Sequence, residues 1–212
     1  MSKIFEDSIL PSGFRIGTED DLPLISLTVA QAFADYKYPV PSNEITYSAH
    51  MKMNYELGRL MAVNAIEKGA VLTNEDFSAV LIAVDISDMC DIPLGQLCGH
   101  IRVYGTEENA VNVEKIFTHI GEMEKALPLG ENVIYIEALA VQTAHQGEKR
   151  ASKLVRFLIS EAKKIGKDLF LFTNTERNVS IYKHLGFDVM YDEYCKELNS
   201  YTAFMYCKTE DK

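Results

Sequence analysis

The segment from Val133 to Val189 constrains the fold most, because short apolar runs alternate in it with helical patterns. The runs at 133–141 and 168–173 have the length and apolar content of buried strands, and apolar residues recur at helical spacing after each of them. Between the first run and its helix lies a loop, 142–150, with a glycine and several cations. Free backbone amides and cations at the start of a helix suit an anionic ligand that carries a pyrophosphate.

The length and composition of the whole chain predict one mixed domain. At 212 residues and 47% hydrophobic, the chain can bury one full core, and no Pro/Gly/Ser-rich linker divides it. We therefore expect a single domain over 1–212. Helical patterns dominate the first part and strands mix with helices later, which indicates an α/β or α+β fold.

Apolar periodicity and capping signals place the elements outside the first segment. Strands are predicted over 14–17, 77–84 and 202–207, and helices over 18–33, 42–67 and 111–127. The prolines of 36–41 break the first helix, and Gly69 ends the second. The stretch 94–104 stays undecided because its two glycines weaken a strand, and 191–199 is a loop or a hairpin arm.

Charge and composition disfavour several functional classes. The formal net charge of −10 disfavours nucleic acid, whose phosphates need a basic face, and favours a cationic partner such as an amine only weakly. The chain has no run of about 18 apolar residues, so we expect no membrane span and no signal peptide. The four cysteines form no CxxC pair and have no histidine at ligand spacing, which predicts no disulfide framework, no metal site and a cytoplasmic location.

Two patterns around the loop carry candidate chemistry. Strand alternation divides 133–141 into two faces, with Tyr135, Glu137, Leu139 and Val141 on one and Ile136, Ala138 and Ala140 on the other. In the following helix, Lys149, Lys153 and Arg156 fall at i, i+4 and i+7, which predicts one cationic face near its beginning. The alternative is a solvated basic face on a surface helix.

Two short blocks match a known pattern in order and spacing. The first is Leu139-Ala140-Val141 followed by Gln146-Gly147-Glu148-Lys149-Arg150-Ala151, and the second, 178–187, contains Asn178, Tyr182, Gly186 and Phe187. The first block resembles the cofactor loop of the GNAT superfamily of N-acetyltransferases, Q/R-x-x-G-x-G/A after a strand. The second resembles the family's later N…Y…G-F block, and Arg15 with 19–22 resembles its opening strand and helix.

The resemblance implies a fold, a reaction and a cofactor site. The fold would be α/β (α+β), with a mixed, mostly antiparallel central sheet that helices flank and that splays between two central strands to hold CoA. The reaction would be direct transfer of an acetyl group from acetyl-CoA, as co-substrate, to a primary amine of a small molecule or peptide. A homodimer is one assembly that the resemblance allows. The residues it assigns to the cofactor are Leu139, Ala140, Val141, Gln146, Gly147, Glu148, Lys149, Arg150, Ala151, Ser152 and Asn178.

The resemblance also implies two catalytic residues, Glu137 and Tyr182. Glu137 would act through water as general base on an amine, whose pKa is about 10.4 if it resembles lysine. The alternative is that Glu137 pairs with a cation beside the sheet. Tyr182 would protonate the departing thiolate, and the alternative is an aromatic ring packed on the core. His145 and His184 are weaker candidates for the base, since solvation in the loop and the helix dipole explain them.

The chain departs from the family pattern at Lys149, where the family has a glycine. At an ordinary helical φ, Lys149 would still donate its amide, and its ammonium would reach a phosphate. Because of this departure, a non-catalytic GNAT-like module that binds acyl-CoA for regulation is the alternative function. A Rossmann-type dinucleotide enzyme is excluded, because no G-x-G-x-x-G follows a strand.

Overall fold

The computed structural model describes residues 4–34, 46–89 and 94–209, and these contain seven strands and six α-helices. The strands are β1 (Phe14–Ile16), β2 (Ala70–Asn74), β3 (Ala79–Asp85), β4 (Val133–Val141), β5 (Asp168–Thr173), β6 (Asp188–Cys195) and β7 (Ser200–Cys207). The helices are α1 (Leu22–Phe33), α2 (Tyr47–Lys68), α3 (Leu94–Tyr104), α4 (Glu107–Ala126), α5 (Arg150–Lys164) and α6 (Glu176–His184).

All seven strands join one sheet, in the order β1-β2-β3-β4-β5-β7-β6. Only β4 and β5 are parallel, and every other neighbouring pair is antiparallel. The predicted mixed, mostly antiparallel sheet is therefore confirmed. None of the helices in the described residues has the length and apolar character needed to cross a membrane.

The sheet buries an apolar layer on each face. On one face, Leu154 and Leu158 of α5 pack with Ile134 and Leu169 of the two central strands. On the other face, α1, α2 and α4 cover the sheet, and the shared cluster contains Val29, Ala62, Ile120 and Phe170. The central strands are therefore covered on both faces. This agrees with their sequences, which are apolar on both sides as buried strands require.

Threonine hydroxyls cap the N-termini of three of the helices. Thr46, Thr106 and Thr175 accept the backbone N–H groups of Ala49, Asn109 and Asn178 at 3.1–3.2 Å, which satisfies one of the free donors at each helix start. The predicted start at Thr18 is also found. Asp21 accepts from Thr18 and from Arg15, and a 3₁₀ turn over Glu19–Asp21 leads into α1.

Most of the predicted elements are confirmed, with three differences. The five-residue strand β2 was missed, since it follows directly on the end of α2 at Gly69 and lacks room for a clear alternation. The undecided stretch 94–104 is a helix, and 191–199 belongs mainly to a hairpin whose first arm begins earlier, at Asp188. The predicted break at 36–41 and the predicted helix start at 42 lie outside the described residues.

A glycine allows α1 and α2 to approach closely. A Cβ atom at Gly58 would lie 2.7 Å from Cβ of Val29, whereas a Cβ atom at Gly121 in α4 would meet nothing within 4 Å. We expect Gly58→Ala to lower the free energy of unfolding by about 1–3 kcal/mol through overpacking. Gly121→Ala, the matched control in another helix, should raise it by up to about 1 kcal/mol.

Urea unfolding of the two variants beside the wild type measures both effects. Equal stabilisation by both substitutions would contradict the close α1–α2 contact.

Candidate active site

The two central strands separate after a short stretch of pairing. The parallel ladder joins Val133 to Asp168, Ile134 to Leu169 and Tyr135 to Phe170, and it ends there. Beyond it, β4 continues along β3 as far as Val141, while β5 continues along β7 as far as Thr173. The predicted splay is confirmed, and it leaves an opening between the ends of β4 and β5 where an extended ligand can meet backbone groups.

A β-bulge at Glu137 lies on the rim of this opening. Ala138 pairs with Ile82 and Ile136 pairs with Ala83, so Glu137 is an extra residue in β4 with no partner position in β3. The bulge changes the phase of the strand. Tyr135 belongs to the cluster under α1, α2 and α4, whereas Leu139 packs against the cluster under α5.

The prediction that Tyr135, Leu139 and Val141 share one face is therefore wrong. Val141 lies with Leu139 on the α5 side, and Ala138 and Ala140 lie with Tyr135 on the other side. Strand alternation assumes an unbroken period of two, and the extra residue at Glu137 breaks it.

The loop after β4 exposes a row of backbone donors. Gly147 has φ 87° and Lys149 has φ 61°, and this turn leads directly into α5. In the part of the chain that the structure describes, no backbone acceptor receives the N–H groups of Gly147, Lys149, Arg150, Ala151 and Ser152. Successive free amides at a left-handed turn and a helix start form an anion site.

Lys149 does not have the helical φ that the sequence predicted. It precedes the first residue of α5 in the left-handed region, with φ 61° and ψ 19°. The backbone therefore adopts a conformation that suits glycine, although the residue is lysine. A left-handed conformation costs a residue with a Cβ about 1–2 kcal/mol.

Arg150 ties this loop to the β2–β3 turn. Its Nε donates to Oε2 of Glu148 at 2.8 Å, and its Nη1 donates to Oδ2 of Asp76 at 2.7 Å and to Oγ of Ser78. Burial opposes ionisation of Asp76, but the hydrogen bonds from Ser78 and Arg150 outweigh it and lower the pKa of that carboxyl to about 2. The carboxylates of Asp76 and Glu148 thus neutralise the guanidinium of Arg150. The group of Arg150 that remains for an anion is its backbone N–H, which has no backbone acceptor in the described residues.

The carboxylate of Glu148 is directed to its neighbours. The hydrogen bond from Arg150 lowers the pKa of Glu148, and Nδ1 of His145 lies 3.3 Å from the same carboxylate. Gln146 is exposed on the turn, and Ala151 and Ser152 are half-buried in the first turn of α5.

A groove of about 450 Å³ runs between α5 and α6. Its lining residues are Ser152, Arg156, Arg177, Ser180, Ile181, His184 and Leu185. Ser152 connects the groove to the free amides at the start of α5. Arg156 of α5 and Arg177 of α6 therefore both line the groove. Lys149 and Lys153, which were predicted to share a face with Arg156, are not among the lining residues.

Tyr182 and Asn178 both lie on α6, and Asn178 contacts the end of β5. The Tyr182 ring is half-buried against the α5-side cluster and makes an edge-to-face contact with Phe187, with 5.5 Å between centroids. The side-chain amide of Asn178 donates to Oγ1 of Thr173, the last residue of β5, at 3.1 Å. The ring of His184 is bound within its own helix, since its Nδ1 lies 2.7 Å from the carbonyl oxygen of Ser180. This contact does not favour a role for His184 as the general base.

Several residues that shape the site were missed by the sequence analysis. Gln142 donates its side-chain amide to Thr28 and to the Phe77 carbonyl, which joins the end of β4 to α1. Asp76 reaches Arg150 from a turn far earlier in the chain, so no local pattern signals the pair. Arg177 had a usable signal, because it directly precedes Asn178 in the second matching block.

Comparison with known proteins gives one family match and many structural relatives. The model of the acetyltransferase (GNAT) family matches residues 67–187. Solved structures with a similar fold include the ribosomal-protein-S18-alanine N-acetyltransferase of Escherichia coli, at 13% identity and TM-score 0.53, covering 94% of each chain. Another is a histone acetyltransferase HPA2-related acetyltransferase of Corynebacterium glutamicum, at 16% identity and TM-score 0.57, covering 94% of this chain and 97% of that one.

A third similar structure is the mosquito arylalkylamine N-acetyltransferase like 5b, at 15% identity and TM-score 0.56, covering 91% of this chain and 97% of that one. At these identities the structural likeness shows the fold alone.

The left-handed conformation of Lys149 can be tested by its effect on stability. We expect Lys149→Gly to raise the free energy of unfolding by about 1 kcal/mol, because glycine adopts positive φ without the Cβ clash. Lys149→Ala removes the same charge but keeps the Cβ, so it should stay within about 0.5 kcal/mol of the wild type. Chemical denaturation of the three proteins measures this difference, and equal values for the glycine and alanine variants would contradict it.

Proposed function

The chain belongs to the acetyltransferase (GNAT) family, and we propose that it transfers an acetyl group from acetyl-CoA directly to a primary amine of a small molecule or peptide. The observation that carries this proposal is that β4 loses its β5 partner after Tyr135 and leads, through the loop that follows it, to the free amides at the start of α5. An anion site next to a slot lined by strand backbone suits a ligand with a diphosphate and an extended arm.

Acetyl-CoA is the co-substrate of this family and supplies an activated thioester carbonyl when it is bound. The residues present fit it. The amides of Gly147 and of 149–152 would hold the diphosphate, and Arg156 and Arg177 would attract further phosphate charge into the groove. The backbone of Leu139–Val141 would bind the amide groups of the arm, since β5 does not pair with this part of β4.

We assign the general base to Glu137. The bulge removes this residue from the β3 ladder at the rim of the opening, and its Oε2 is buried. A carboxylate in this position would accept a proton from the acceptor amine, directly or through one water. An amine with a pKa of about 10.4 needs such a base at neutral pH, because its protonated form has no free electron pair.

Tyr182 is the proposed general acid. Its ring contacts Phe187 and packs against the α5-side cluster, one helical turn after Asn178, whose amide is hydrogen-bonded to the last residue of β5. The phenol Oη would donate its proton to the sulfur that departs from the acetyl group. Asn178, one helical turn earlier, is a positioning residue, because its amide fastens α6 to Thr173.

The alternative is a GNAT-like module that binds acyl-CoA without turnover. Lys149 in place of the loop glycine is the sequence observation behind it. The left-handed φ of Lys149 weakens this alternative, since the loop keeps the backbone shape that a glycine would give and its amide keeps no acceptor in the described chain.

The three described cysteines, Cys98, Cys195 and Cys207, are free thiols, which supports a reducing compartment such as the cytoplasm for this activity.

Calorimetric titration of the purified protein with acetyl-CoA, followed by thiol release with a panel of amines, tests the proposal. The panel should contain a polyamine, an amino acid and a peptide with a free N-terminus. Saturable binding together with thiol release on one of these amines is the expected result. Binding with no release on any amine would favour the regulatory module, and no binding would contradict both functions.

Tyr182→Phe separates an acid from a packing residue. We expect turnover to fall by about 10²–10⁴-fold, the usual contribution of a general acid, while acetyl-CoA affinity stays close to that of the wild type. The phenylalanine ring keeps the contact with Phe187, so the fold should be preserved. Tyr194→Phe, which removes an exposed hydroxyl from β6, is the matched control. Equal turnover in wild type and Tyr182→Phe would remove Tyr182 as the acid.

A further inference from the structure

Three metal-ligating side chains converge between α4 and the edge strand β6. They are His119 of α4 and Glu193 and Cys195 of β6, and one ligand atom from each lies within 4.8 Å of the other two. In the described ranges of the chain, this is the one group of three His, Cys, Asp or Glu residues with ligand atoms so close. We propose that these three side chains bind a single zinc ion.

The fold directs all three side chains to one place. Glu193 and Cys195 are two residues apart in β6, so they lie on the same face of the strand. They pair with Thr202 and Ser200 of β7, in phase with the Tyr191–Phe204 pair. Phe204 belongs to the cluster that α4 covers through Ile116 and Ile120, and His119 is on that same helix.

The distances suit tetrahedral coordination. Nε2 of His119 and Oε2 of Glu193 are 3.8 Å apart. A zinc ion with bonds of about 2.0–2.3 Å holds its ligand atoms about 3.3–3.8 Å from one another. For an imidazole nitrogen and a carboxylate oxygen the expected separation is about 3.3–3.5 Å, so His119 and Glu193 need to approach by a few tenths of an ångström when the ion binds. Sγ of Cys195 lies within 4.8 Å of both ligand atoms, a distance that side-chain rotation and this approach would shorten.

The chemistry of the three donors selects zinc. Imidazole nitrogen, carboxylate oxygen and thiolate sulfur together form a borderline set that zinc binds, whereas calcium and magnesium require oxygen. The other two described cysteines do not offer this chemistry, since Cys98 and Cys207 are buried in apolar clusters.

Two buried polar atoms in this cluster support a ligand that the chain itself does not supply. Nε2 of His119 and Oγ of Ser200 are both buried, and neither has a hydrogen-bond partner within the described residues. Ser200 as a whole residue is 8% exposed, and it lies directly opposite Cys195 in the ladder. Under this proposal a water molecule would occupy the fourth zinc position, and the Ser200 hydroxyl is the unpaired polar group nearest in the ladder to bind it.

Tyr191 orients the carboxylate of this site. Its Oη donates to Oε2 of Glu193 at 2.9 Å. A hydrogen bond from a neighbouring group to a ligating carboxylate is the usual means by which proteins fix the ligand before the metal binds. Tyr191 is therefore a positioning residue, and the bound ion would fasten the edge strand β6 to α4.

Metal titration of the full chain tests the proposal without any use of acetyl transfer. The protein is stripped with a chelator under reducing conditions, and Zn²⁺ is titrated by calorimetry. One ion per chain is expected. Cobalt(II), titrated in a parallel sample, should give a thiolate-to-metal charge-transfer band together with the visible spectrum of a tetrahedral site.

Ligand variants distinguish this site from adventitious binding. His119→Ala and Cys195→Ala should each weaken zinc affinity by on the order of 100-fold, and Cys195→Ala should abolish the charge-transfer band. Tyr191→Phe should weaken affinity by about tenfold and keep the band. His100→Ala in α3 and Glu197→Gln in the β6–β7 turn are controls that remove a similar group elsewhere, and they should bind as the wild type does.

Absence of one-to-one binding by the folded wild type would overturn the proposal. Wild-type affinity in both His119→Ala and Cys195→Ala, or a cobalt spectrum without the thiolate band, would also overturn it. Circular dichroism of each variant shows that the comparison is made between folded proteins.

Discussion

The short parallel pairing between β4 and β5 is the constraint on which the rest of the site depends. Three residue pairs join these strands, and a row of rings reinforces the last of them, with Tyr135, Phe170 and Phe204 at centroid distances of 5.5 and 5.9 Å. Because β3 holds β4 along its length and β7 holds β5, the sheet stays intact where the two strands diverge. A longer parallel ladder would satisfy the backbone groups of Leu139–Val141 and close the opening.

The sequence was sufficient for the fold class and for the position of the loop, because both depend on local patterns. The apolar runs, the helix start at Thr18 and the two matching blocks each lie within a few residues, and the structure confirms the elements they predict. The bulge at Glu137 could not be predicted, since β4 is apolar on both faces and either phase of alternation fits the sequence. The contacts of Arg150 with Asp76, and of Gln142 with Thr28, join residues that only the tertiary structure brings together.

Local charge around the loop matters more than the net charge of −10. Screening limits the reach of exposed charges to about 8 Å at physiological ionic strength, so distant carboxylates hardly affect a phosphate at the start of α5. The carboxylates close to the loop, Asp76 and Glu148, are engaged by Arg150. The amides of the loop, the exposed Lys149 and Lys153 and the two arginines of the groove are therefore the groups that contribute most to the local potential.

Under the proposed function, the two substrates meet different kinds of protein surface. The cofactor site consists largely of backbone N–H groups, which every residue except proline can supply, provided that the backbone takes the required φ. This explains how Lys149 can replace a glycine while the loop keeps its left-handed turn. Recognition of an acceptor depends instead on side chains, which carry no fixed spacing along the sequence. The short motifs of this chain therefore identify the acetyl donor. The choice of acceptor depends instead on side-chain contacts around Glu137, which no short motif records.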